Sequence, residues 1–482
     1  MECSSHFETL FPQSITWIII IFPSSNFMVI SMRFRGGLLP LIPLFLSALL
    51  FHLYLLLKDP LIPGVDGPYY LIQVESILKG LGMVYGDPPL LFHLSAFTSL
   101  FLGDVRLGIS LTVALIVSLS TVPTYLLFLE LSGDPVPSSA ASIALIFSPQ
   151  LARMAGDLMK NAAGITFLMF YIYFMFRAFK YRRLREILLS ILSAYLTFLT
   201  HFLDLAFLFL FMFSYLLIIL ISGRNCWRKN LKCWILIALP VILLVTITSL
   251  LFPYYFSDVN KGFTFIKDVF SPSNNPSNPT PPFRQKPGRT WPLIGLIDLA
   301  SILPYIFGAL ILFIYHVHLG VDVEGSTPIL FGVLAAGFIG IFPSLLDLRS
   351  WAWRFLLMEC IPIALFIGIL LMRFRDKVTS ILVALILLLP IILQGFHSLL
   401  MVRPTIQLST YRDLQKISTI IDGSNFKLLI HLDRYWIEYL LGYSSKGLPE
   451  YLITGYNHPF LPSNWRLIFK GETLLLYCRS PI

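Results

Sequence analysis

Charge is what this sequence has least of. Only 13% of its 482 residues are Asp, Glu, Lys or Arg, where soluble domains carry about a quarter. That shortage excludes a water-soluble enzyme domain. Cysteine is also sparse. Cys3, Cys226, Cys233, Cys360 and Cys478 show neither metal-ligand spacing nor a disulfide framework, and Cys226 and Cys233, which flank a basic loop, are expected to stay reduced. No internal repeat is visible, so the inverted-repeat signature of many transporters is missing. Asn275-Pro276-Ser277 and Asn278-Pro279-Thr280 are not glycosylation acceptors, because proline holds the middle position in both. The net charge of +9 comes from basic residues clustered in short loops. That pattern sets membrane topology and does not point to nucleic acid.

Long apolar runs fill the space that charge leaves. The chain is 56% hydrophobic, with a mean hydropathy of +0.79, and reads as an all-α polytopic membrane protein. Residues 1–31 form an N-terminal extension. Both a short signal-like segment and a start at Met32 stay open for it. Apolar runs of about twenty residues predict about eleven spans, near 38–57, 107–131, 136–150, 161–179, 187–200, 203–222, 232–252, 292–316, 327–346, 355–372 and 378–396. Arg33 and Arg35 set the start of the first span on the cytoplasmic side. Alternation then places three basic loops inside, Arg177 to Arg185, Arg224 to Lys232 and Arg373 to Lys377. Residues 32–398 therefore make the transmembrane domain, with external loops at 58–106 and 253–290. The expected location is the cell (plasma) membrane, with the N-terminus inside.

Between the spans, Leu71, Val74, Leu78 and Leu81 recur at helical spacing and predict an amphipathic helix along the outer surface. Residues 88–102 read as a second interfacial or re-entrant helix. The Pro-, Asn- and Ser-rich loop 253–290 reads as a lid. After about residue 400 the composition shifts. A helix over 411–421 and strands over 426–431, 465–469 and 473–478 predict a small external α+β domain, residues 399–482.

Polar residues fall on the outer side of this topology, and such groups near membrane depth are functional candidates by default. Asp66 stands in Asp66-Gly67-Pro68-Tyr69-Tyr70; its plain alternative is a helix N-cap. Glu75 lies on the helix that follows, where a solvated face is the plain reading. Asp157 and Lys160 lie in a short polar segment, residues 150–160. Asp66 with Asp157 would suit a hard cation, Mg²⁺ or Mn²⁺, although two distant carboxylates also fit a capping loop. His201 precedes Asp204 in a turn between spans and would reach a phosphate oxygen, or simply close the turn. Arg354 opens a late span, where a guanidinium grips a lipid phosphate or anchors the interface beside Trp351 and Trp353.

The order of these motifs resembles the GT-C superfamily of polyprenyl-phosphate-sugar-dependent glycosyltransferases, in the protein mannosyltransferase and aminoarabinose transferase branch. The resemblance rests on several segments. Asp66 is followed by the helix over 69–81 and by Pro88-Pro89-Leu90-Leu91-Phe92. Asp157 through Lys160-Asn161 leads to Arg177-Ala178, then Thr200-His201-Phe202, and a late span opens with Arg354-Phe355-Leu356-Leu357. Two departures stand out: Gly67 occupies the place of a frequent second acid, and Phe202 follows His201 where Gly or Pro is usual. No Trp-Trp-Asp motif is present, which disfavours whole-glycan transfer to asparagine.

The resemblance implies an inverting transfer of one mannose-like sugar from a polyprenyl or dolichyl phosphate to a hydroxyl of a glycan, lipid or protein, on the external face. Asp66 would be the general base. Arg354, His201 and Lys160 would bind the donor phosphate. Asp157 and Glu75 would position the acceptor, or Asp157 with Asp66 a metal. Membrane lipids are the other expected partners. The competing class is a lipid or solute transporter or flippase without bond chemistry, whose polar residues would line a path through the bilayer.

Overall fold

Helices dominate because the apolar runs are long and every backbone polar group inside a bilayer needs an internal partner. The computed structural model describes residues 16–17, 32–33, 38–221, 227–256, 296–319, 325–345, 349–421, 425–428, 433–442, 450–456 and 465–479. A two-residue pair, β1 (Thr16–Trp17) with β2 (Met32–Arg33), precedes the helices. These follow as α1 (Leu41–Leu57), α2 (Gly67–Leu78), α3 (Leu90–Leu102), α4 (Val105–Ser118), α5 (Thr121–Ser132), α6 (Pro135–Ile146), α7 (Pro149–Asp157), α8 (Met159–Tyr181), α9 (Leu184–Thr200), α10 (Phe202–Ile221) and α11 (Trp227–Leu251). The series continues with α12 (Leu296–Leu319), α13 (Thr327–Leu345), α14 (Arg349–Leu357), α15 (Cys360–Leu371), α16 (Lys377–Met401), α17 (Leu408–Ile421) and α18 (Arg434–Leu441).

Six stretches among the described residues are long and apolar enough to cross a membrane: Val105–Ser132, Met159–Tyr181, Phe202–Ile221, Trp227–Leu251, Trp353–Leu371 and Lys377–Met401. This is an integral multi-pass membrane protein. α8 is almost wholly enclosed by other helices, whereas α11 and α16 expose rows of apolar side chains, among them Leu236, Leu243 and Leu250, and Ile386, Leu389 and Leu393. Such surfaces are stable only against hydrocarbon.

Two expected spans carry internal irregularities, and one expectation about a segment needs correction. The span expected over 107–131 is present as Val105–Ser132, with an irregular turn at Leu119-Ser120 between its α4 and α5 parts. The late span expected over 355–372 is present as Trp353–Leu371, with Met358 and Glu359 forming an irregular turn between α14 and α15. The polar segment 150–160 is not a loop. Ser148 accepts a hydrogen bond from Leu151 N at 3.0 Å and Pro149 follows, so α7 starts there with a cap and a preset φ. Its residues Leu151, Ala152, Met154 and Ala155 are fully buried. The side chain of Arg349, Asp347 and the lid expected beyond residue 256 lie outside the described residues.

Glycines set how closely some helices approach. A Cβ on Gly368 of α15 would lie 2.3 Å from the Phe128 ring of α5, and one on Gly164 of α8 would lie 2.2 Å from Asp204 Oδ2. The α8–α9 hairpin is fastened by Arg177. Its guanidinium meets both Glu186 oxygens at 3.1 Å, Tyr173 Oη at 2.8 Å and Glu130 at 3.4 Å.

After α16 comes a small α+β unit. Its sheet runs β3 (Phe426–Leu428), β4 (Tyr451–Gly455), β6 (Leu474–Arg479), β5 (Trp465–Lys470) in spatial order. β3 pairs with β4 in parallel; β6 is antiparallel to both β4 and β5. The helix over 408–421 and the strands at 426, 465 and 474 match the sequence reading closely. α18 and β4 were not predicted. α18 packs on α2, and two bonds latch it there: Tyr439 Oη donates to Glu75 Oε1 at 2.6 Å, and Tyr85 Oη donates to Glu438.

Candidate active site

The site starts from the segment between α1 and α2. Gly64 has φ +83°, a conformation that favours glycine. Its N–H donates to Arg403 O at 3.1 Å. The next N–H, that of Val65, donates to the Asp157 carboxylate at the end of α7. The loop is thus tied down on both sides of Asp66. Asp66 occupies the N-cap position of α2, and its backbone oxygen accepts from Tyr70 N at 3.1 Å, but its side chain makes no cap bond. The carboxylate that the plain reading assigned to capping is directed elsewhere.

It faces a mixed set of charges. Lys160 and Arg354 lie within electrostatic reach of Asp66, as do Asp157 and Asp433. Burial pushes the Asp66 carboxyl up most strongly, Lys160 and Arg354 pull it down, and the two acids push it up again, leaving it at about 6. Asp157 is also raised, by burial, against the opposing pull of Arg153, whose Nε lies 3.7 Å away, and of the Val65 N–H.

Lys160 is held at the start of α8. Its N–H donates to Tyr70 Oη at 2.9 Å, and its ammonium donates to Asp87 Oδ2. Tyr69 Oη donates to the same Asp87 oxygen. The ammonium lies 5.6 Å from the centre of the Tyr69 ring and 5.7 Å from that of Phe92. Gln73 steadies this arrangement, donating to Tyr69 Oη at 3.2 Å and pairing through both ends with the Tyr85 backbone at 3.0 Å. The Pro88-Pro89-Leu90-Leu91-Phe92 run thus brings Asp87 and Phe92 to Lys160.

α18 adds residues from the far end of the chain. Asp433 caps it, accepting from Tyr435 N at 3.0 Å and from Thr405 Oγ1 at 2.8 Å. The Tyr435 ring lies 5.3 Å from that of Tyr69 and 6.0 Å from that of Tyr85. Its hydroxyl ionises less readily than usual, through burial first and then the negative charge of Asp66.

Asp66, Asp157, Lys160 and Arg354 therefore converge. Two other candidates point elsewhere. His201 Nδ1 meets Asp204 Oδ2 at 3.1 Å, and Asp204 is fully buried between α8 and α10. Glu75 pairs with Lys79 at 3.3 Å and receives Tyr439, so it fastens α18. No three His, Cys, Asp or Glu side chains come together as metal ligands among the described residues. With Arg153 on Asp157 and two cations beside Asp66, this donor set does not fit a divalent cation. Sequence reading missed Asp87, Asp433 and Tyr435 as site residues. The first stands immediately before the Pro88-Pro89-Leu90-Leu91-Phe92 run. The other two carried only the signal of an Asp before a short amphipathic helix.

Residues 87–252 match the model of the dolichyl-phosphate-mannose-protein mannosyltransferase family. The matched region takes in Pro88 to Phe92, Asp157 to Asn161, Arg177-Ala178 and Thr200-His201, so the resemblance drawn from those segments is borne out there. Asp66 and Arg354 lie beyond it. Among solved structures, the chain is similar to ArnT from Cupriavidus metallidurans, a crystal structure with bound undecaprenyl phosphate. Identity is 16% over 92% of this chain and 98% of that one, with a TM-score of 0.47. No curated protein matches the chain.

Proposed function

We propose that this chain is an inverting glycosyltransferase that moves one hexose-like sugar from a polyprenyl or dolichyl phosphate to an acceptor hydroxyl on the external face. The observation that carries this reading is Asp66: a half-buried carboxylate with no cap bond, within reach of Lys160 and Arg354. The family match over residues 87–252 supports the donor class.

In the proposed reaction the acceptor oxygen attacks the anomeric carbon as Asp66 takes its proton. The bond from that carbon to the phosphate oxygen breaks on the opposite side, and the electron pair leaves with the lipid phosphate. Lys160 and Arg354 neutralise the charge that develops there. Lys160 has three N–H donors, so the bond to Asp87 leaves it able to meet phosphate. A carboxyl held at about 6 suits a general base near neutral pH. No step is assigned to a metal; transfer measured with and without chelator tests the Mg²⁺ or Mn²⁺ expectation. His201, held by Asp204, would bind phosphate only through its remaining nitrogen.

A second reading, a transporter without bond chemistry, draws on Glu359. It is fully buried between α14 and α15, and neither carboxylate oxygen has a hydrogen-bond partner among the described residues. The deciding experiment incubates purified protein with labelled polyprenyl-phosphate sugars and acceptor extracts. Transfer lost in Asp66→Asn and kept in Glu359→Gln supports the transferase. Full activity in Asp66→Asn removes the catalytic assignment.

A further inference from the structure

The two ends of α8 differ in chemistry. Lys160 opens the helix beside Asp66, and Arg182 follows its last residue, Tyr181. The helix has 23 residues, so at about 1.5 Å each its ends lie about 33 Å apart, close to the thickness of the hydrocarbon core. The end away from Asp66 is a corner made by two segments. Arg182, Arg183 and Arg185 surround the turn into α9, and Arg228, Lys229 and Lys232 lie in the first two turns of α11. Arg182 Nη2 donates to Asn230 Oδ1 at 3.1 Å, and Cys233 Sγ donates to Ala178 O at 3.6 Å, so the segments meet. All six basic residues are exposed. The nearby acids are already taken: Glu186 by Arg177, and Glu130 by Arg177 and Lys180. Among the described residues, none of Arg183, Arg185, Arg228, Lys229 and Lys232 pairs with a carboxylate.

Membrane topology accounts for each basic loop separately, but not for the joining of two. Helix stability does not account for it either. Arg185 lies in the first turn of α9, and Arg228 and Lys229 in that of α11, where cations oppose the helix dipole. Gathered like charges repel, and an anion seated among them relieves the repulsion. The surroundings describe that anion. Arg183 lies over the Tyr181 ring at 5.5 Å and Arg228 over the Trp227 ring at 5.8 Å, and both rings are exposed. Such rings mark the level of lipid headgroups. From there Leu184, Leu188 and Leu192 of α9 and Leu239 and Leu243 of α11 make exposed apolar stripes, each at a spacing of four. The two helices pack together, with Tyr195 Oη 3.1 Å from Thr248 Oγ1. Apolar stripes that begin at a cluster of cations match an anionic head joined to hydrocarbon chains. A soluble anion would leave the stripes unused.

We infer that this corner binds a membrane phospholipid whose headgroup carries two phosphates, on the bilayer surface opposite the Asp66 site. One phosphate meets the turn before α9 and the other the start of α11. The inference does not depend on the glycosyl-transfer reading. The test titrates purified full-length protein in detergent with tetraoleoyl cardiolipin, dioleoyl phosphatidylglycerol, dioleoyl phosphatidylcholine and soluble glycerol bisphosphate. Native mass spectrometry counts what is bound, and thermal unfolding reads the stabilisation. Wild type should hold cardiolipin at least about tenfold more tightly than phosphatidylcholine or glycerol bisphosphate, with phosphatidylglycerol between. Arg228→Gln/Lys229→Gln/Lys232→Gln should weaken cardiolipin binding at least about tenfold. Arg373→Gln/Arg375→Gln/Lys377→Gln removes the same charge from the turn between α15 and α16 and should stay within about threefold of wild type. Cardiolipin held no better than phosphatidylcholine by wild type overturns the inference. So does glycerol bisphosphate held as tightly as cardiolipin, since the chains would then contribute nothing. Neither result depends on a variant folding. Equal losses in the two triple variants also overturn it, because total charge and not this corner would then attract the lipid.

Discussion

Gly64 and Asp157 belong to segments ninety residues apart, yet a Cβ on Gly64 would lie 2.8 Å from the Asp157 Cα and 2.1 Å from the oxygen of Gly156. This close approach fixes the Asp66 segment to the end of α7. Gly64→Ala therefore meets two penalties, a left-handed φ and a backbone collision. It should destabilise by about 1–3 kcal/mol and reduce transfer at least tenfold by displacing Asp66. Thermal unfolding in detergent and a transfer assay on the same preparation check this; unchanged activity would mean the loop tolerates displacement.

Asp66→Asn should separate stability from activity. The Asp66 carboxyl is raised to about 6, so ionisation costs the folded state, and that cost grows as pH rises from the ordinary carboxylate value to about 6. Above pH 6 the asparagine variant should be at least as stable as wild type and inactive. For wild type, the same shift predicts transfer that declines as pH falls through about 6. A Tm drop in the variant at pH 7.5, or a profile flat from pH 5 to 7, would contradict the assignment.

Asp413 of α17 behaves in the opposite sense. Burial raises its carboxyl, but the N–H groups of Thr473, Glu472 and Leu474 and the Thr473 hydroxyl outweigh it and hold it below its ordinary value. Its contribution is present at neutral pH and is lost as pH drops below the ordinary carboxylate range. Asp413→Ala should loosen the β5–β6 hairpin at pH 7, and wild type should loosen at acid pH. Limited proteolysis with mass mapping of residues 465–479 reads both.

Arg177 offers a test remote from the site. Lysine cannot reproduce its contacts to both Glu186 oxygens, Tyr173 and Glu130, and Glu186 is 2% exposed. Arg177→Lys should lower stability by about 1–3 kcal/mol without changing the pH profile of transfer. A lowered Tm with a shifted profile would place Arg177 in contact with the site.

Much of the helical framework could be read from sequence because a bilayer demands apolar runs of nearly fixed length. The irregular turns within two spans were legible too, had the prolines been used: Leu119 and Met358 each stand four residues before a proline, Pro123 and Pro362, which has no N–H for that carbonyl and crowds it. The segment 150–160 was misread because polar residues at a span end suggest a loop, while the buried stripe of Leu151, Met154 and Ala155 is too short to register as periodic. In the site, Asp66, Lys160, Asp157 and Arg354 stood out as charges in an uncharged sequence. Asp433 and Tyr435 did not, since a small α+β unit is full of such residues, and nothing in their spacing shows that α18 reaches back to α2.

The latch between α18 and the segment made of α2 and the turn after it is reciprocal. The segment holding the first acid contributes Tyr85 and Glu75, and α18 answers with Glu438 and Tyr439. Each side therefore supplies one donor and one acceptor. An exchange of the final eighty or so residues between relatives would seat correctly only where the incoming piece carries both members in the same order. Chimeras built at the junction near Met401 thus inherit a two-point key, and a mismatch at either point would swing Tyr435 away from its ring partners even if both halves were well folded.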